Sequence, residues 1–221
     1  MSEANLTADV YSEQSQAINI VAKIISYVLH PLFIPTYIFF WLTWHFPTEF
    51  AGITKTGLLF KKISVFWLTA FFPAFSVFIS WRLKFIESIF LRTQKDRIFP
   101  YIITMIFYWW MWYLSRGLPD QPVVLKFFYF GIFLTTVFGL IINNFIKISM
   151  HAIGAGSFLA FIILTCLIYH TLLGVDIMIA TLLAGLICTA RLLLNHHSTA
   201  EIYAGLIVGI LCQLLGVWIA L

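Results

Sequence analysis

Long apolar runs follow one another through this chain with only short polar interruptions, and no other feature limits its fold so strongly. A segment that crosses the hydrocarbon core of a bilayer needs roughly 20 mostly apolar residues, and in helical form it satisfies its own backbone hydrogen bonds. Charged side chains make up 10% of the 221 residues, against roughly a quarter in soluble domains, and the mean hydropathy is +0.97. The composition excludes a soluble domain. It predicts an all-α, polytopic membrane helix bundle of six or seven transmembrane helices.

Punctuation by charge, proline and glycine places seven candidate spans at 18–46, 63–81, 100–116, 123–147, 151–172, 175–194 and 199–221. The first is interrupted by "HPLFIP", where Pro31 and Pro35 remove backbone donors and split an interfacial helix from a span proper. Residues 1–17 read as a polar N-terminal tail, with neither a basic start nor a small-residue cleavage site ahead of an apolar core, and 18–221 as a single transmembrane domain. Trp and Tyr crowd the span ends, as amphipathic rings do at the lipid boundary. Cys166, Cys188 and Cys212 lie in apolar segments without CxxC spacing and read as packing residues.

Followed through these spans, the chain brings three polar stretches to one membrane face: "RLKFIESIFLRTQKDRIFP", "FIKISMH" and "ARLLLNHHSTAE". In the last, His197, Glu201, Gly205 and Gly209 are successive i, i+4 positions and share one helical stripe, so the carboxylate can reach the imidazole. Such a partner fixes the tautomer and leaves the other ring nitrogen as a base or nucleophile. "STAE" is also a capping-box pattern, with Ser198 as N-cap, and the two glycines suit close helix packing. His196 is turned about 100° away from His197 on a regular helix and stays a secondary candidate.

The second stretch places Ser149 and His151 at a span's N-terminal, dipole-positive end. The first adds Arg92, Lys95 and Arg97 close to Pro100. Each stretch alone fits ordinary boundary chemistry. Combined with Arg191, they make a set of cations, a hydroxyl and helix-terminal donors matched to a dianion of phosphate type, with two histidines to supply a nucleophile and an acid. His30, His45, His151, His170 and the 196/197 pair do not form a convincing set of metal or haem ligands, and there is no HExxH pattern. No metal, cofactor or nucleic-acid partner is expected.

The three stretches resemble, in order, the signature of the type 2 phosphatidic acid phosphatase superfamily, KxxxxxxRP, PSGH and SRxxxxxHxxxD, over about residues 92–205. The third block reads Ala190, Arg191, five residues, His197, three residues, Glu201, with the family spacing throughout. The second keeps Ser149 and His151, but Ile148 and Met150 stand where the family has proline and glycine. In the first, Arg97 and Pro100 are three apart instead of adjacent, and Lys95 or Arg92 stands in for the lysine.

The resemblance implies a metal-independent hydrolase acting on a phosphorylated lipid. His197 would form a phosphohistidine, with Glu201 in the role of the family aspartate and His151 protonating the leaving oxygen. Arg191, Arg97 and Ser149, helped by Lys95 or Arg92, would hold the phosphoryl oxygens. It also implies the outer face of a bacterial inner membrane. The alternative, motivated by the altered second block and the shifted basic block, is a degenerate relative that binds an anionic or polyprenyl phosphate lipid without turnover.

Overall fold

A computed structural model describes the backbone of residues 3–91 and 93–220, with side chains for 15–91 and 93–219. Among the described residues the ordered elements are all helical: α1 (Glu3–Val28), α2 (Ile34–His45), α3 (Lys55–Phe66), α4 (Phe72–Arg82), α5 (Gln94–Gly117), α6 (Val123–Asn143), α7 (Met150–Ile168), α8 (Gly174–Leu193) and α9 (Thr199–Ala220). Six helical stretches are long and apolar enough to cross a membrane, at 15–45, 55–82, 123–143, 150–168, 174–193 and 199–219. The chain is an integral membrane protein built as an all-α polytopic bundle.

The N-terminal segment expected as a tail is helical from Glu3 and continuous with the first apolar run. The break falls at "HPLFIP": His30 is extended, Pro31 opens a 3-10 turn at Pro31–Phe33, and Pro35 sits in the first turn of α2. The Tyr37 hydroxyl donates to the carbonyl of Val28 at 2.7 Å, serving one of the acceptors exposed where α1 ends. α3 and α4 form one rod through a π-helical stretch at Trp67–Phe71. Pro73 has no N–H to offer the carbonyl one turn back, and this slip in register accommodates it.

The second and third expected spans begin earlier than their apolar residues suggest, because capping extends the helices into polar sequence. Thr54 accepts from Gly57 N–H at 3.1 Å and Thr93 from Asp96 N–H at 3.1 Å. α5 is 24 residues long and, though rich in Trp, Tyr and charge, lies antiparallel along α6. At one end the side-chain amides of Gln94 and Asn143 each donate to the other's carbonyl, at 2.7 and 2.9 Å. Near the other end the rings of Trp112 and Phe130 meet at a tilt, with centroids 4.7 Å apart.

The helix ends are fixed from both faces. On one, Asp176 at the start of α8 accepts from Trp41 Nε1 at 2.8 Å and meets His45 Nε2 at 3.1 Å near the end of α2. Tyr169, just past α7, donates to Glu49 at 2.9 Å on the same side. The opposite face therefore collects the starts of α5, α7 and α9 and the ends of α6 and α8. α9 crosses α7 at backbone contact: a Cβ on Gly209 would run into the Ile153 carbonyl, and one on Gly205 would come within 2.8 Å of the Ser149 carbonyl.

Without a hydrophobic force between helices in lipid, such close packing carries much of the association. Gly209→Leu is expected to cost about 1–3 kcal/mol through overpacking, seen as a lowered melting temperature in detergent. Gly185→Ala, where nothing lies within 4 Å of the new methyl group, serves as the control and leaves it unchanged or slightly raised.

Candidate active site

The site is assembled where three helices begin. Ser198 and Glu201 form the capping box of α9: Ser198 Oγ accepts from Glu201 N–H at 3.3 Å, and Glu201 Oε2 accepts from Ser198 N–H at 3.1 Å. The same Oε2 lies 3.0 Å from His197 Nδ1, so capping and orienting the imidazole are done by one carboxylate. Nδ1 is also 3.0 Å from the carbonyl of Lys147. Both neighbours only accept, so Nδ1 carries the proton and the lone pair of the neutral ring is on Nε2. His197 is buried, 8% exposed, and burial first, with Arg97 second, holds its pKa down at about 4; the Glu201 carboxylate pulls the other way.

α8 ends at Leu193, and Asn195, in the left-handed region at φ 52°, turns the chain back toward α9. Asn tolerates that conformation better than most residues, and this reversal sets Arg191 and His197 on one side. Arg191 has its Nε buried with no hydrogen-bond partner among the described residues. Its charge acts on Arg97, His151, His197 and Lys147.

α7 contributes its first turn. Ser149 is wholly buried; its Oγ accepts from Ala152 N–H at 3.3 Å as the N-cap, and its own N–H donates to the carbonyl of Glu201 at 3.3 Å. His151 Nε2 lies 3.1 Å from the carbonyl of Ser26 on α1. That nitrogen is the donor, which leaves Nδ1 as the one free to face a ligand.

From α5 comes Arg97, 5% exposed. Its Nη1 donates to the carbonyl of Ile148 at 2.8 Å and its Nε to that of Leu91 at 3.0 Å, so it clasps the loops that precede α5 and α7. Asp96 beside it is turned to structural use, accepting from Glu87 N–H at 3.0 Å and from the Thr93 hydroxyl at 2.8 Å.

The structure thus brings Arg97, Ser149, His151, Arg191, His197 and Glu201 together. It does not bring in Lys95, which is exposed on the first turn of α5, and Arg92 lies outside the described residues. The cation that joins the cluster is Lys147, which feels Arg97, Arg191 and Glu201, with burial and then Arg97 holding its ammonium below the usual lysine range. Its place two residues before Ser149 was the available signal. His30 also joins, its ring edge-on to His151 with centroids 5.0 Å apart.

Arg97 and Lys147 both feel the carboxylate of Glu201, and Arg191 adds a third positive charge that acts on each of them. With neutral imidazoles this is an excess of positive charge in a half-buried setting, suited to a small polyanion. In ¹⁵N-histidine spectra, His197 is expected to remain the neutral Nδ1–H tautomer down to about pH 4. Glu201→Gln should shift that midpoint lower still, because it removes the group that supports the imidazolium; a midpoint near the ordinary 6.5 would contradict this electrostatic picture. Comparison with protein-family models, curated proteins and solved structures returned no match to this chain.

Proposed function

We propose that this protein is a membrane lipid phosphate or pyrophosphate phosphatase that works through a phosphohistidine on His197. The observation that carries the reading is the His197 ring: Nδ1 is held between two acceptors at 3.0 Å, so a neutral Nε2 is left open on a ring that feels the Arg97 and Arg191 cations and the Glu201 carboxylate. A nucleophile needs its lone pair at working pH, and a pKa of about 4 keeps it available across the neutral range.

In the first step His197 Nε2 attacks phosphorus and the bond to the leaving lipid oxygen breaks. Arg191, Arg97 and Lys147 stabilise the charge on the transferring oxygens, together with donors of the first turn of α7 that begins at Ser149. His151, which keeps Nε2 on the Ser26 carbonyl and takes up a proton at Nδ1 as the phosphate dianion enters beside it, gives that proton to the leaving oxygen. Water then attacks the phosphohistidine with His151 taking its proton, the P–N bond breaks, and phosphate leaves. Glu201 keeps the proton on Nδ1 and stabilises the positive ring as it forms. The substrate enters from the bilayer with its phosphate at the boundary, on the outer face of a bacterial inner membrane.

A second reading, an anionic-lipid binder without turnover, is favoured by one observation. Two of the donor atoms of Arg97 are already committed to the carbonyls of Ile148 and Leu91, which leaves it less to give a transferring phosphoryl group.

Phosphate release by purified protein from phosphatidic acid, phosphatidylglycerophosphate, undecaprenyl pyrophosphate and a lipid A phosphate separates the two. With chelator present, wild type is expected to turn over at least one of them and His197→Ala to fall to background. Absence of release from all four, with tight binding retained, would replace the phosphatase by the binding protein.

A further inference from the structure

His30 lies outside the three polar stretches, in the break between α1 and the 3-10 turn at Pro31–Phe33. That break places it on the wall of the candidate site. Its ring meets His151 edge-on, centroids 5.0 Å apart and planes at 83°, and it lies within range of the Arg191 charge. Ser26, one turn back on α1, holds His151 through its carbonyl at 3.1 Å.

The tautomer of His30 follows from its neighbours. Leu32 N–H donates to Nδ1 at 3.3 Å, so Nδ1 carries the lone pair and the ring proton is on Nε2. That N–H has no hydrogen-bond partner among the described residues. The same is true of two buried groups nearby, Arg191 Nε and the Ser26 hydroxyl. Buried polar groups are normally paired, and two here, Arg191 Nε and the Ser26 hydroxyl, are not. A ligand rich in acceptor oxygens would satisfy them.

We propose that His30 is a further phosphate-binding residue of this site, donating its Nε2–H to an oxygen of the bound phosphoryl group beside Arg191. The proposal rests on the phosphatase reading of the site. It also limits what His30 does. A proton on Nδ1 would break the bond from Leu32, so His30 binds as a neutral donor and does not exchange protons with the substrate. The segment before α2 thereby becomes part of phosphate recognition, whereas the family resemblance involves only residues beyond 90.

The test is calorimetric titration of inorganic phosphate into full-length protein in detergent with chelator, at pH 6 and pH 8. His30→Ala is expected to weaken binding about tenfold, the lower end for a hydrogen bond to a charged group. His30→Gln, whose amide can place a donor near Nε2, recovers most of that, and the wild-type to His30→Ala ratio is the same at both pH values. His30→Phe keeps the ring packing on His151 and loses the donor; it reproduces the loss and serves if the alanine variant does not fold. Wild-type affinity in the Ala and Phe variants overturns the proposal, as does a loss that changes with pH. Failure of wild type itself to bind phosphate overturns the reading of the site as well, which separates the two failures.

Discussion

The starts of α7 and α9 are tied by one backbone hydrogen bond, Ser149 N–H to the Glu201 carbonyl at 3.3 Å, and the rest of the candidate site depends on that approach. It exists because Gly205 and Gly209 let α9 cross α7 with backbone against backbone. The contact lets the carbonyl of Lys147, just before α7, reach His197, just before α9. Glu201 completes the arrangement from the first turn of α9. Packing deep in the bundle and the tautomer of a boundary histidine are therefore parts of one constraint.

Around that tie the protein holds charge in an arrangement that folding alone does not favour. Arg97, Lys147 and Arg191 repel one another, and burial adds a desolvation cost that a single carboxylate does not offset. Backbone carbonyls of Leu91 and Ile148 restrain Arg97, while Arg191 retains a buried donor without an acceptor. Excess positive charge, open donors and a neutral imidazole are what the proposed phosphoryl transfer would draw on, since most of the catalysis of such a reaction is positioning and charge stabilisation. A bound polyanion would offset that repulsion.

Much of this was legible in the sequence, for identifiable reasons. The i, i+4 spacing of His197 and Glu201 is a property of any helix, and both readings of "STAE", cap and orienting carboxylate, hold at once through Glu201 Oε2. Convergence of the three polar stretches followed from counting apolar spans. The stretches in between resisted prediction because loops are governed by single backbone contacts. The family resemblance made Lys95 or Arg92 the stand-in for a lysine, yet helix α5 begins at Gln94 and leaves Lys95 exposed, while the loop before α7 sets Lys147 within range of Arg97, Arg191 and Glu201. His30 was harder still. Its neighbours His151 and Arg191 are more than a hundred residues away, and only the break after α1 brings them together.

In the proposed mechanism, side chains from α5, α7 and α8 and from the turns before α7 and α9 share one phosphoryl group. A structure of the protein with orthovanadate, a mimic of the transferring phosphoryl group, tests it most directly. Vanadium is expected to be bonded to His197 Nε2, its oxygens contacted by Arg97, Lys147 and Arg191, with the His197 Nδ1 bond to Glu201 intact. Vanadate bound away from His197, or on His197 with Arg97 and Arg191 turned elsewhere, would contradict it.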